Sequence, residues 1–437
     1  MKIAIWGYGK YGRRMFESLT RFCPDEYEVV RVYDSAYQKL KQTDGEHPLP
    51  ILNPEDLTAD YKNGVFEKVL LCIFDYFASR ELKKLLREHS IPELHLGKPD
   101  DFYSMSVFDQ GEKPFAIQQE GYEFCVLKNL CGAMANYESD ELLYLFDFKG
   151  RVLKEHWSHL LYINAPCVYD PPFDLKKNST EVINLKGQYC ILTKKHAGNY
   201  WHFTFQCLDV VWLLEKAGYQ GYYVIPNKSF CNELLRLLDV APERIICHSK
   251  FEHNKTYVFE EVFYVALNGP YEIYTTPVLY EMAEYIKKKL TVDPSLPKKI
   301  YVKRIGRRKL LNADDLIAEY GFTTMVPEEY SVKEQMMLFY NADIVFSVHG
   351  ANSTNCLYMR KGTIFIEAFS SYWINGCNLN SLAAAGINYL PVNALETAFE
   401  NKDGIVRDFE IPEILLHMTI QNAFHIYQAQ HESLLLK

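Results

Sequence analysis

The chain has 437 residues, which is enough for two or three domains. Hydrophobic residues make up 48% and charged residues 24%, as in an ordinary globular protein. The formal net charge of -9 argues against non-specific binding to nucleic acid or anionic lipid. The 11 cysteines include no C-x-x-C pair, and there is no run of 18 apolar residues. We therefore expect a cytoplasmic protein with reduced thiols and no membrane span, for which peripheral membrane association stays open.

A glycine-rich turn follows the first predicted strand, residues 1–6. The turn has the pattern G-x-G-x-x-G, and its glycines are Gly7, Gly9 and Gly12. A helix is predicted over residues 13–22, and a second strand over residues 27–33 ends at Asp34, 22 residues after Gly12. This spacing is typical of a dinucleotide-binding unit, in which the glycines approach the pyrophosphate and the acid binds a ribose 2′-hydroxyl.

An apolar run at residues 69–74 and an amphipathic helix at 78–89 complete a small Rossmann-like unit, which we assign to residues 1–110. The unit is too short to be a complete dehydrogenase, so we predict an accessory domain. Two interpretations of its turn stay open. Either the three glycines and Asp34 form an accessory nucleotide site, or the glycines serve only tight turning and helix–strand packing.

Residues 111–290 are predicted to form a second α/β domain. Its strands are expected at 189–193, 222–225, 244–247 and 259–266, and its helices at 201–216, 229–238 and 276–290. Near its start, residues 138–149 fit either a strand pair or a short helix. On the helix at 201–216, His202, Gln206 and Asp209 are spaced i, i+4 and i+7 and so share one face. This polar stripe is either a functional face or a solvated helix surface.

Residues 291–437 carry the clearest pattern. Apolar runs rich in Val, Ile, Phe and Tyr predict buried parallel strands at 300–302, 322–326, 344–348 and 363–369. Helices are predicted between them at 312–320 and 331–341, and another after the third strand. A short helix at 379–385, a strand at 389–391 and a last helix at 411–430, expected to pack back across the domains, follow. The alternation predicts half of a nucleotide-binding sheet.

Polar residues cluster at the carboxyl ends of these strands, where such sheets bind ligands. Those that follow the first strand are Lys303, Arg304, Arg307 and Arg308. Gly350 begins a turn after the third strand, whose N–H groups are expected to point outward. Arginines that face such a turn suit a diphosphate, and Glu367, near the end of the fourth strand, suits ribose hydroxyls. The alternative is a solvated arginine loop beside a core histidine, His349.

With these residues, the segment 299–369 resembles glycosyltransferase family 61. The matching residues are Arg304, Arg308, Asn312, Gln335, His349, Gly350, Ala351, Asn355, Gly362 and Glu367. The sequence departs from the family at Asn352, where a second glycine is usual, and at Lys303, where a serine often precedes the arginine. The resemblance extends more weakly back to about Gly187.

The resemblance implies an inverting enzyme with a GT-B fold and a nucleotide-sugar donor. We therefore expect an α/β protein with a GT-B-like pair of Rossmann-type domains after the accessory domain. Residues 111–290 would bind the acceptor and residues 291–437 the donor. The resemblance implies donor contacts from Arg304, Arg308, Asn312, Gln335, His349, Gly350, Ala351, Asn352, Ser353, Asn355 and Glu367.

Residues 199–202 look like the Asn-x-x-His motif of the family. Family members usually carry an Asp four residues after that histidine, where this chain has Gln206. Because glutamine cannot act as a base, we expect His202 or Asp209 to take the acceptor proton. His349 is the next candidate, although a phosphate or sugar contact suits it better.

No Asp-x-Asp pair occurs in the chain. Arg304, Arg308 and the turn after Gly350 are therefore expected to stabilise the diphosphate without a divalent metal, and no cofactor is expected. The predicted partners are a nucleotide sugar and a glycan or glycolipid acceptor, in the synthesis of a surface (capsular) polysaccharide. Two other functions stay open: an NAD(P)-dependent oxidoreductase that uses the N-terminal turn, and a non-catalytic nucleotide-sugar-binding protein.

Overall fold

Three β-sheets follow one another along the chain in a computed structural model. The structure describes residues 1–43, 49–73, 76–96, 104–105, 122–137, 140–148, 150–153, 181–194, 196–267, 277–371, 374–395 and 407–435. The predicted boundary at residues 110–111 lies outside the described residues. Each sheet contains parallel strands joined by helices, which confirms the predicted α/β class with several Rossmann-like units.

The N-terminal sheet is small and fully parallel, in the order β3-β2-β1-β4-β5. Its strands are β1 (Lys2–Trp6), β2 (Glu28–Tyr33), β3 (Ile51–Leu52), β4 (Lys68–Leu71) and β5 (Glu93–Leu94). Its helices are Lys10–Phe22, Tyr37–Thr43, Leu57–Lys62 and Tyr76–Glu88, with a 3-10 turn at Pro54–Asp56. The predicted Rossmann-like unit is therefore present.

The middle sheet is mixed, in the order β12-β11-β10-β13-β7-β8-β9-β6. Its strands are β6 (Ser104–Met105), β7 (Tyr122–Tyr137), β8 (Asp140–Phe146), β9 (Val152–Leu153), β10 (Glu181–Ile191), β11 (Tyr222–Ile225), β12 (Ile245–Cys247) and β13 (Lys255–Leu267). The strands β10 to β13 are parallel, as predicted, whereas β7 and β8 pair antiparallel. Of the ambiguous segment 138–149, residues 140–146 thus form one strand of an antiparallel pair rather than a helix.

The predicted helix at residues 201–216 is two helices, Tyr200–Gln206 and Leu208–Lys216. Cys207 lies between them with φ −129° and ψ −36°, outside the helical range. The break rotates the second helix relative to the first, so the predicted stripe of three polar side chains is not continuous. The other helices around this sheet are Ser229–Leu237 and Pro277–Lys287, with 3-10 turns at Pro242–Arg244 and His248–Lys250.

The C-terminal sheet is fully parallel, in the order β15-β14-β16-β17-β18. Its strands are β14 (Lys299–Val302), β15 (Thr323–Met325), β16 (Ile344–Val348), β17 (Ile364–Phe369) and β18 (Asn388–Asn393). Every residue of β16 and β17 is buried, because helices cover both faces of the central strands. The four strands predicted between residues 300 and 369 are confirmed.

The helices of this unit are Asp314–Glu319, Val332–Asn341, Leu379–Ala384 and Glu413–Leu435, with a 3-10 turn at Pro327–Glu329. The segment after β16, predicted as an α-helix, is a 3-10 helix, Ala351–Tyr358. Buried residues of the last helix, including Leu416 and Ile420, pack in the core of the C-terminal sheet. Its predicted packing back across the domains stays a prediction.

The middle and C-terminal sheets share one hydrophobic core. Phe203 and Leu234 on the middle side pack in the same cluster as Met336, Leu357 and Tyr358 on the C-terminal side. The backbone N–H of Val332 also donates to the Glu233 carboxylate at 2.9 Å. The loops at the carboxyl ends of β10 and β16 are therefore held beside each other.

Candidate active site

Arg304, which follows β14, meets the turn that follows β16. Its Nη1 donates to the carbonyl oxygen of His349 at 3.0 Å, and its Nε donates to the carbonyl oxygen of Arg307. A Cβ atom added to Gly350 would lie 1.8 Å from Arg304 Nη1. The φ of Gly350, 169°, is extended backbone that any residue adopts, so the guanidinium is what requires glycine here. The predicted meeting of these two segments is present.

The arginine loop brings like charges together. Burial, with a further contribution from Arg308, lowers the pKa of Arg304 to about 10, and burial also lowers the pKa of Arg308. Lys303 and Lys309 pair with Asp314 and Asp408, but within the described residues Arg304 forms no ion pair. A half-buried guanidinium that forms no ion pair in this part of the chain favours the binding of an anion.

The turn after Gly350 carries two backbone N–H groups close to Arg304. The 3-10 helix Ala351–Tyr358 begins directly after Gly350. Across the parts of the chain that the structure describes, the N–H groups of Ala351 and Asn352 have no acceptor. Ser353 is buried, and its hydroxyl lies 3.0 Å from that of Ser347 in β16, which fixes the turn on the strand. The turn thus presents N–H groups beside the guanidinium, as an anion site requires.

His349 is held on a buried carboxylate. Its Nδ1 lies 2.7 Å from Oε1 of Glu367, and its ring stacks on Phe369 with 4.8 Å between centroids. Glu367 is 0% exposed and also accepts hydrogen bonds from Asn378 Nδ2 and the Tyr389 hydroxyl, each at 2.9 Å. The Glu367 oxygens are thus enclosed by protein groups in this structure, and the expected contact with ribose hydroxyls stays a prediction.

On the middle sheet, His202 lies in the first turn of the helix Tyr200–Gln206. Asn199 caps this helix, and its side-chain oxygen accepts from the N–H groups of Trp201 and His202. His202 Nδ1 lies 3.2 Å from Gln206 Oε1, so a proton on Nδ1 would be donated to that oxygen and would leave Nε2 as the basic nitrogen. Burial, together with nearby His196, lowers the pKa of His202 to about 4, so it is neutral at pH 7.

The match to known families covers both of these loops. The family model described as Glycosyltransferase 61 matches residues 200–366. The chain carries a family 61 glycosyltransferase domain. The matched region begins two residues before His202 and ends one residue before Glu367, so it contains Arg304 and the turn at Gly350. No curated protein matches the chain.

Three residues of the family 61 domain that were predicted to contact the nucleotide-sugar donor form hydrogen bonds within the protein. Asn355 is fully buried, accepts from the Tyr200 hydroxyl at 2.7 Å and donates to Gln335 Oε1 at 3.0 Å. Gln335 donates in turn to the Pro327 carbonyl oxygen at 2.8 Å. Asn312 exchanges two hydrogen bonds with the backbone of Ile411. These amides hold the loops through bonds to protein groups, and their expected contacts with a donor stay predictions.

Asp209 does not join His202 in the family 61 site. Its side chain is 5% exposed, accepts from the Tyr122 hydroxyl at 2.6 Å and accepts from the Val210 N–H at 2.8 Å. Burial raises the pKa of Asp209, and the Tyr122 hydrogen bond opposes that shift. A carboxylate enclosed in this way ties the second helix to β7 and is a poor candidate for the base.

Sequence reasoning missed His196. Its φ of 63° is a left-handed conformation that favours glycine, and its ring centroid lies 5.3 Å from that of His202. Arg308, in the opposite loop, has the same strained backbone with φ 61°. Strained residues that are not glycine tend to occur at functional sites, and these two lie in the loops that precede His202 and follow β14. Backbone strain leaves no mark on sequence periodicity, so only the structure could find it.

Outside the family 61 match, the N-terminal turn is described in full. Gly7 has φ 96°, and a Cβ on Gly12 would lie 1.9 Å from the carbonyl oxygen of Gly7. A Cβ on Gly9 would meet nothing within 4 Å. The Asp34 carboxylate accepts from the N–H groups of Tyr8 and Ala36 at 2.6 and 2.7 Å. Turning and packing thus explain Gly7 and Gly12 but not Gly9, and the nucleotide site stays a prediction.

Proposed function

We propose that this glycosyltransferase moves a sugar from a nucleotide-sugar donor to a hydroxyl of a glycan or glycolipid acceptor, with inversion. The observation that carries the proposal is the guanidinium of Arg304 lying against the turn at Gly350, where it donates to the His349 carbonyl oxygen. A charged donor and the backbone N–H groups of Ala351 and Asn352 converge there, at the carboxyl ends of neighbouring parallel strands. This is where α/β sheets bind nucleotides.

The leaving diphosphate needs positive potential as its bond to the anomeric carbon breaks. Arg304, Arg308 and the N–H groups of Ala351 and Asn352 supply it in our proposal. The described residues contain no group of three or more His, Cys, Asp or Glu side chains able to hold a metal ion. Independence from a divalent metal stays a prediction, and it is tested by activity in EDTA.

His202 is our candidate base. The acceptor hydroxyl oxygen attacks the anomeric carbon, its proton passes to Nε2 of His202, and the bonding electron pair of the old bond leaves with the diphosphate. A pKa of about 4 leaves the imidazole neutral at pH 7, as the role requires, and makes it a weaker base than an ordinary histidine. Replacing His202 by Ala should lower kcat by roughly 10²- to 10⁴-fold with donor binding retained.

The diphosphate assignment is tested by Arg304→Ala, with Arg304→Lys as the matched control. The loss of a preorganised charge should lower kcat/KM for the donor by roughly 10²- to 10³-fold, and donor affinity should fall with it. Lysine keeps the charge but cannot donate two parallel hydrogen bonds as arginine does. The kcat/KM of Arg304→Lys should therefore lie between those of the wild type and Arg304→Ala. If both turnover and donor affinity survive the change to alanine, the proposed site is wrong.

A thermal-shift screen separates this function from the two alternatives. Nucleotide sugars, nucleoside diphosphates and NAD(P) are added in turn, with and without EDTA. A glycosyltransferase is stabilised by nucleotide sugars and then turns them over, whereas a non-catalytic binder shows the shift alone. Stabilisation by NAD(P) and by no nucleotide sugar would favour the oxidoreductase.

The biological setting is also a proposal. We propose that the acceptor belongs to a surface polysaccharide, such as a capsule, or to a glycolipid built at the cytoplasmic side. Within the described part of the chain, no helix has both the length and the apolar character needed to cross a membrane. Transfer from labelled nucleotide sugars to isolated polysaccharide or lipid fractions tests this setting directly.

A further inference from the structure

Glu367 is the most enclosed charge in the C-terminal sheet. It lies in β17, is 0% exposed and accepts three hydrogen bonds. Oε1 accepts from His349 Nδ1 at 2.7 Å and from Asn378 Nδ2 at 2.9 Å, and Oε2 accepts from the Tyr389 hydroxyl at 2.9 Å. Three donors aimed at one carboxyl group match an ionised carboxylate, which only accepts hydrogen bonds. The C-terminal sheet therefore places a carboxylate against the Nδ1 side of His349.

The contacts of His349 fix which nitrogen can meet a ligand. Nδ1 faces the carboxylate, and the ring is stacked on Phe369, so the imidazole cannot turn. About 10% of the side chain is exposed, and Nε2 has no hydrogen-bond partner within the described residues. The carbonyl oxygen of the same residue accepts from Arg304. His349 thus contacts the guanidinium through its main chain and Glu367 through its ring.

We propose that Glu367 is a positioning residue that stabilises His349 as an imidazolium when a diphosphate is bound, so that Nε2–H donates to a phosphate oxygen. The inference rests on the proposed function. A neutral ring with its proton on Nδ1 would turn the Nε2 lone pair toward the phosphate oxygens, which is repulsive. A second proton, taken from water, removes that repulsion, and the Glu367 carboxylate balances its charge.

Nitrogen NMR of the imidazole rings tests the proposal in two stages. The His349 signals are assigned in uniformly ¹⁵N-labelled protein as those that disappear in His349→Asn. Without ligand, Nδ1 should be protonated in the wild type, and Glu367→Gln should lose this fixed proton position. A wild-type ring with its only proton on Nε2 would overturn the positioning role, independently of any donor.

In the second stage, UDP and GDP are added separately at saturating concentration. Both nitrogens should then be protonated in the wild type, whereas the ring should carry only one proton in Glu367→Gln. A bound diphosphate with Nε2 unprotonated in the wild type overturns this inference and leaves the proposed function standing. Failure of every nucleoside diphosphate to bind overturns the donor site itself. Once His349 is assigned, the wild-type spectra decide between these outcomes, so the test does not depend on the folding of Glu367→Gln.

The kcat/KM values of two variants at this carboxylate give a second test. Glu367→Gln keeps the size of the side chain and loses the charge, and it should lower kcat/KM for the donor by roughly 10- to 100-fold. Tyr389→Phe removes one hydrogen bond to the same carboxylate and leaves the charge, so its effect should be clearly smaller. Equal losses in both variants would indicate a packing role and would contradict the inference.

Discussion

Two turns of this protein join a parallel strand to a helix through glycine, and different groups fill the space at their glycines. At the N-terminal turn, the missing Cβ of Gly12 makes room for the backbone of Gly7. At the turn after β16, the missing Cβ of Gly350 makes room for the guanidinium of Arg304. The first glycine is needed by the protein's own main chain, whereas the second is needed by a charged, movable side chain.

The comparison shows that a glycine motif does not identify a ligand site by itself. The N-terminal turn has the more familiar pattern, yet packing explains two of its three glycines. The turn at Gly350 has a less regular pattern, yet it gathers a guanidinium and backbone donors. The group that occupies the space beside the glycine is therefore the more informative observation, and substitution by alanine can test it at each position.

The largest effect is expected from Gly12→Ala. Its Cβ would lie 1.9 Å from the carbonyl oxygen of Gly7, and a backbone atom cannot move aside as a side chain can. We expect a loss of unfolding free energy on the order of 4 kcal/mol, from backbone strain in the N-terminal sheet. Urea unfolding measures it. A loss below about 1 kcal/mol would contradict the packing explanation.

The next effect concerns His202, which follows a third strand-to-helix loop. Its burial should make the unfolding free energy depend on pH. The folded pKa of about 4 lies below the ordinary 6.5, so the fold favours the neutral ring. Between pH 6.5 and 4 the unfolded chain binds a proton that the folded chain does not, and stability is lost as pH falls through that window. From pH 7.5 to 4.5, the wild type should lose about 2 to 3 kcal/mol more than His202→Phe. Equal losses would mean that the ring is not shielded from water.

Gly350→Ala should act on binding rather than on folding. The added Cβ meets the end of a flexible side chain, so Arg304 can swing away at small cost to stability. We expect roughly tenfold weaker donor binding, or about 1.4 kcal/mol, with the unfolding free energy nearly unchanged. Gly306→Ala is the matched control in the arginine loop, because a Cβ there meets nothing within 4 Å. Equal donor affinities of Gly350→Ala and Gly306→Ala would show that Arg304 does not contribute to donor binding.

The smallest effect on stability is expected from Gly9→Ala. Its Cβ would meet nothing within 4 Å, and its φ of −68° suits any residue, so stability should rise or fall by less than about 1 kcal/mol. The same variant sharpens the comparison. If the N-terminal turn binds a nucleotide, the methyl group should weaken that binding without unfolding the domain, which calorimetry with NAD would show.

Much of the fold could be predicted, because the strands of the C-terminal sheet are continuous apolar runs separated by helical patterns. Residues 344–348 are correct at both ends, and the capping box of Ser331 and Glu334 begins the helix Val332–Asn341, close to its predicted start. The meeting of Arg304 with the turn at Gly350 also followed from strand order, since parallel strands end at one edge of a sheet.

Contacts between residues distant in sequence could not be predicted. Asn312 bonds Ile411, 99 residues later, so its role as a brace leaves no local pattern. The burial of Glu367 depends on Tyr389, which comes from the next strand of the sheet. The break at Cys207 has no proline or glycine to signal it, and apolar residues continue on both sides.

The hydrogen bond from Tyr200 to Asn355 has a consequence for how substrates reach the site. It joins the segment that carries the proposed base to the segment that carries the phosphate donors, inside an apolar core common to both sheets. A swing that separated the two sheets would break this bond and expose the side chains of Met336 and Leu357 to water. We therefore expect donor and acceptor to bind to a site whose protein groups are in place before either substrate arrives.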